Sequence, residues 1–146
     1  MSQFLLVAAD AARARIFTRE KKFSPLVEID TMVHPEARLH KQDLERDRQG
    51  QVHESYAGGE SDYQLPTDPK QKEMGRFAHE LAARLKQARV TGQYAGVTLV
   101  AEPTFLGYLR KSLDDETRKN VIREVAKNVT SQDPEFIARV ADKEAV

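Results

Sequence analysis

The stretch VTLVAEPTFLGYL, residues 97–109, sets a strand directly against a helix. Val97-Thr98-Leu99-Val100-Ala101 is a short apolar run with β-branched residues, as a buried strand requires. Pro103 then suits a first helical turn. Phe105, Leu106, Leu109 and Leu113 follow at helical spacing. A buried strand that feeds straight into a helix needs a second buried strand beside it. Phe4-Leu5-Leu6-Val7-Ala8-Ala9, closed by Asp10, reads as that central strand. Strands alternating with helices imply a parallel portion of sheet covered by helices.

The remaining elements extend this unit. Ala14–Thr18 follows the first strand after a short Ala/Asp turn. Leu26–Val33 alternates after Pro25 and reads as a half-buried strand, so three strands form an antiparallel meander. A long helix follows Thr67 or Asp68 as cap, with Pro69 in its first turn. Met74, Phe77, Ala78, Leu81, Leu85 and Ala88 form its apolar stripe, and Gly92 is its stop. Lys72, Arg76, His79 and Lys86 take the wet side. Gly107 sits mid-helix, where glycine costs about 1 kcal/mol against alanine, and close packing of another backbone is the expected reason. Val121–Thr130 fits a helix or a strand. It reads as a strand because Ser131 or Asp133, then Pro134, caps a last helix through Phe136, Ile137 and Val140. The expectation is one α/β domain over 1–146, three-layered, with a mixed five-stranded sheet. Its order β-β-β-α-β-α-β-α is ribonuclease-H-like.

Composition narrows the chemistry. The 146 residues carry 23 basic and 23 acidic side chains, so any basic patch must be local. There is no cysteine, which excludes disulfides, thiolate metal sites and thiol nucleophiles. The run from Phe4 is too short for a signal-peptide core or a membrane span, so a cytoplasmic protein is expected, off the membrane. Asn128-Val129-Thr130 matches a glycosylation acceptor, which means nothing without a secretory signal. The segment 34–66 shows no period and holds four basic against seven acidic residues. A connection this long is usually functional or disordered. A short helix over 35–44 interrupts it.

Few catalytic patterns survive inspection. His34, His40, His53 and His79 have no partner at metal-binding spacing, and Ala83 removes the second ligand of a zincin-like His79-Glu80 start. They read as surface histidines. No Gly-x-Ser-x-Gly elbow or phosphate-cradling Gly-x-x-x-x-Gly-Lys occurs. The topology raises one enzyme alternative. In ribonuclease-H-like nucleases, acids at the first strand end, on the first helix and after the fourth strand bind two divalent ions. Asp10, Glu73 or Glu80, and Glu102 would be those ligands, with Mg²⁺ or Mn²⁺ as cofactor in that case alone. Against it, strand-end acids are common turn residues, and Glu80, the other acid on that helix, can pair with Arg76 or Arg84. Gly58-Gly59 leaves two readings, a flexible hinge or a tip with open backbone N–H groups.

Ala9–Phe17, His34-Pro35-Glu36-Ala37-Arg38, Asp43-Leu44, Asp47–Gly50, Thr67-Asp68-Pro69 with Arg76-Phe77-Ala78, and Phe105-Leu106-Gly107-Tyr108-Leu109-Arg110 together resemble the bacterial host attachment protein family. Lys127–Thr130 resembles that family's Lys-Asp-Leu-Thr, with Asn128 in place of Asp. The family is similar in turn to the middle domain of archaeal and eukaryotic class-I peptide release factors, which carries a Gly-Gly-Gln tip before a long helix. Here Gly58-Gly59-Glu60 stands in that position. Glu60 lacks the amide's donors and is repelled by phosphates.

The resemblance therefore implies a contact domain near translation, more a binder than an enzyme, with ribosome or tRNA as partner. Gly58, Gly59, Glu60, Arg38, Arg48, Lys72, Arg76, Lys86 and Arg110 would make the contacts. Glu60 and Asp10 are the catalytic candidates. The alternatives are the metal-dependent nuclease and a non-catalytic binding protein linked to host or surface attachment.

Overall fold

The computed structural model describes residues 3–34, 69–92 and 94–143. Three strands come first: β1 (Gln3–Ala9), β2 (Arg13–Arg19) and β3 (Val27–Val33). Then come α1 (Pro69–Thr91), β4 (Tyr94–Ala101), α2 (Pro103–Ser112), α3 (Asp115–Lys119), β5 (Val121–Ala126) and α4 (Pro134–Lys143). The strands make one mixed five-stranded sheet in the order β3-β2-β1-β4-β5. β1–β2 and β2–β3 pair antiparallel, and β1–β4 and β4–β5 pair parallel.

β1 is central because its side chains serve both faces. Leu5, Val7 and Ala9 join the core under α1 and α2, which includes Phe77, Leu81, Leu85, Phe105 and Leu109. Leu6 and Ala8 join the opposite core with Phe17, Val100, Val125, Ile137 and Ala141 from α4. Helices thus cover both faces of the sheet, as the strand–helix alternation predicts. The apolar stripe of α1 is buried as its spacing requires, with Ala82 added to it. Its ring Phe77 meets Phe105 of α2 at 5.7 Å between centroids.

Three expectations are corrected. β3 is mostly exposed, not half-buried: Val27, Ile29 and Val33 are 58%, 45% and 50% accessible. It is an edge strand, and its pairing skips Ile29, because Ile16 faces Asp30 while Phe17 faces Glu28. That shift breaks the alternation. The edge is blunted by its own side chains, since the Thr31 N–H donates to Asp30 Oδ1 at 2.8 Å. Second, Leu113 is the C-cap of α2, and the short α3 after it is capped by Asp114, which accepts the Thr117 N–H. Five residues are too few for apolar spacing to announce.

Third, Gly107 does not meet another backbone. A Cβ there would touch nothing within 4 Å among the described residues. Gly107→Ala should therefore raise stability by about 0.5–1 kcal/mol, measured as the shift in urea midpoint. Gly92 differs. A Cβ there would lie 2.5 Å from the Tyr94 ring and 2.9 Å from the Ala88 carbonyl oxygen, so the helix stop depends on its bareness.

Candidate functional site

β1 ends at Asp10, and its carboxylate organises the carboxyl end of the sheet. Asp10 Oδ1 accepts the backbone N–H of Ala12 at 2.8 Å and of Arg13 at 3.0 Å. This Asx turn reverses the chain into β2. Asp10 Oδ2 accepts the Thr130 hydroxyl at 2.8 Å and the Asn128 amide at 3.3 Å. Asn128 Oδ1 in turn accepts the Thr130 N–H at 3.2 Å. The Thr130 hydroxyl also lies 3.0 Å from Asn128 Oδ1, and its single proton favours the charged acceptor. Thr130 is buried, so this network closes the bottom of the segment after β5.

Arg15 pins the same segment from the other side. Its Nη1 donates to the carbonyls of Thr130 at 2.9 Å and Gln132 at 2.7 Å. Its Nε and Nη2 form a fork with both oxygens of Glu28 on β3. That fork, helped by the Thr31 hydroxyl and opposed by partial desolvation, lowers the Glu28 pKa. The pairing thus stabilises the fold above the ordinary glutamate pKa. The contribution is lost as pH falls through the lowered folded value.

The other acids at this end are also engaged. Glu102 ends β4 and accepts the Phe105 N–H at 2.8 Å as the cap of α2. Glu73 on α1 meets His34 Nε2 at 3.2 Å and Arg76 Nη1 at 3.3 Å. Among the described residues, no three His, Asp or Glu side chains stand together as a metal site. Asp10, Glu73 and Glu102 are thus not gathered into one cluster, and each carboxylate is held by its own partners.

Asn128, Thr130 and Arg15 escaped the sequence reading as site residues. The Asn-x-Thr triplet was visible as a glycosylation pattern, but its use here is a turn around Asp10. Residues 5–140 match the family model described as "Protein required for attachment to host cells", spanning from β1 into α4. The chain belongs to the host attachment family. A comparison with curated proteins returns no match. The Asn128 amide donates to Asp10 Oδ2, so the carboxylate sits beside it without a second negative charge.

The remaining candidate residues fall in three groups. Gly58, Gly59, Glu60, Arg38 and Arg48 lie outside the described residues, as do the caps Thr67 and Asp68 and the expected helix over 35–44. Lys72, Arg76, His79 and Lys86 lie exposed on the outer face of α1. Arg110 is held by Glu124 on β5, which raises its pKa through the hydrogen bond and the charge. Arg110 is thus a committed ion-pair partner rather than an open cation.

Two pairing expectations are also revised. Arg84 reaches across to Asp30 at 3.1 Å, and Arg76 turns to Glu73, so neither binds Glu80. His34 is not a surface histidine. It is buried, its N–H donates to the Ala12 carbonyl, and its ring stacks on Phe77 with centroids 4.9 Å apart. A polar ring that can bury one face and still reach a carboxylate suits a position just after β3, against Phe77 and Glu73 of α1. No helix among the described residues is long and apolar enough to cross a membrane.

Proposed function

We propose that this host attachment protein is a non-catalytic binding protein, and that contact with an anionic partner underlies the attachment for which its family is described. One observation carries the reading. The acids at the carboxyl end of β1 and β4, where α/β sheets commonly hold their chemistry, are spent on structure: Asp10 accepts four donors and Glu102 caps α2. The outer face of α1 stays open to a partner, with Lys72, His79 and Lys86 exposed at helical spacing.

The test is complementation. Cells lacking the protein should regain attachment with the wild type and not with Lys72→Glu/Lys86→Glu, provided both fold with the same thermal midpoint. Full rescue by the folded double variant would refute the reading.

The charge of the same face favours a second reading. A release-factor-like domain would use Lys72, Arg76 and Lys86 against phosphates of ribosomal or transfer RNA, and such contact weakens with salt. Co-sedimentation with ribosomes at low salt, lost at moderate salt and in the double variant, would support it. Wild-type protein left in the supernatant at both salts would remove it.

A further inference from the structure

At the end of the sheet opposite Asp10, two register shifts lie side by side. Gln3 faces Tyr94 but Phe4 faces Gly96, so Ala95 is an extra residue. Val97 faces Val121 but Thr98 faces Arg123, so Ile122 is another. Bulges re-aim side chains and occur next to functional sites. Here they surround a cavity of about 140 Å³ lined by Phe4, Arg19, Lys22, Thr98, Ile122 and Arg123.

Its lining holds three cations and no carboxylate. Arg19 is already matched by Asp142, to which it donates at 2.8 and 3.1 Å. The Arg123 side chain has no hydrogen bond or ion pair among the described residues, and Lys22 lies 5.1 Å from the Phe23 ring centroid. Two positive charges around the cavity are therefore uncompensated by the described side chains. A second, independent feature points the same way. Thr98 is 3% exposed, and its hydroxyl has no partner among the described residues. A buried hydroxyl without a partner is costly, and a ligand oxygen would remove that cost.

We propose that this cavity binds a small phosphorylated molecule. Arg123 and Lys22 hold the phosphate, the Thr98 hydroxyl donates to one of its oxygens, and an apolar part lies between Phe4 and Ile122. A phosphate dianion matches two uncompensated cations better than a carboxylate does, and the Arg123 fork suits its oxygens.

The probes are phenyl phosphate and inorganic phosphate, titrated into the isotope-labelled full chain and followed by NMR. Phenyl phosphate should give saturable shifts at the Thr98 and Arg123 amides, and should bind more tightly than inorganic phosphate. Arg123→Gln should weaken it on the order of tenfold, the loss of one charge-assisted contact. Thr98→Val separates binding from packing. It should weaken phenyl phosphate while leaving the thermal midpoint unchanged or higher, since a methyl replaces an unpartnered hydroxyl. The proposal is overturned if phenyl phosphate gives no saturable shifts. Equal binding of the two probes, or binding indifferent to Arg123→Gln and Thr98→Val, overturns it as well.

Discussion

Replacing Asp142 with alanine should cost the fold roughly 3–5 kcal/mol. The Arg19 and Asp142 side chains are only 5% and 9% exposed, and they join β2 to α4 through two hydrogen bonds. Once the carboxylate is gone, the guanidinium stays trapped between the sheet and α4. Its desolvation is then uncompensated. The pair itself contributes less than its rupture costs. Arg19→Met combined with Asp142→Leu should therefore recover most of the loss, by replacing two charges with packed apolar groups. Urea unfolding of the wild type, both single variants and the double variant measures this directly. A loss under about 1 kcal/mol for Asp142→Ala would mean that water reaches the pair and that it behaves as a surface bridge.

The second large effect belongs to Asp10→Ala, expected to cost roughly 2–4 kcal/mol. Four donors lose their acceptor at once: two backbone N–H groups in the β1–β2 turn, the Thr130 hydroxyl and the Asn128 amide. The two backbone groups can find water more easily than Thr130, which is 3% exposed. Its hydroxyl would turn to Asn128 Oδ1 at 3.0 Å, so the penalty comes from exchanging a charged acceptor for a neutral one and from the turn N–H groups left without theirs. Adding Thr130→Val to Asp10→Ala should cost less than the sum of the two single changes. Asp10→Asn should fall between wild type and Asp10→Ala. It keeps an acceptor for Ala12 and Arg13 but turns a donor toward the Asn128 amide. Denaturant midpoints for the wild type and the four variants decide the ordering, and strict additivity would show that the network is not one unit.

Much of the fold was legible because its strongest signals are local. Phe4–Ala9 and Val97–Ala101 are apolar on both faces, and only a strand between two layers buries both. Pro69, Pro103 and Pro134 mark helix starts, and the stripe from Phe77 to Ala88 names the buried face of α1. The misreadings have other causes. The exposure of β3 follows from its edge position and a skipped residue, which depend on its partner strand. The burial of His34 depends on Phe77, more than forty positions away along the chain. The site was least legible, since Asp10 could be named as a strand-end acid but its partners Asn128 and Thr130 are brought to it by the sheet. Periodicity carries no information about such contacts.

The Arg15–Thr130 carbonyl bond, the Thr130–Asp10 bond and the Arg19–Asp142 pair share one further property. They join positions 115, 120 and 123 residues apart. β1 and β2 thus precede β5 and α4 along the chain but gain these locks only from them. Until then Arg15 and Asp10 have only their local partners, and Arg19 lacks Asp142. Closing such long spans costs chain entropy before any contact repays it. Folding should therefore wait for α4, and be slower than that of a helical bundle of equal length.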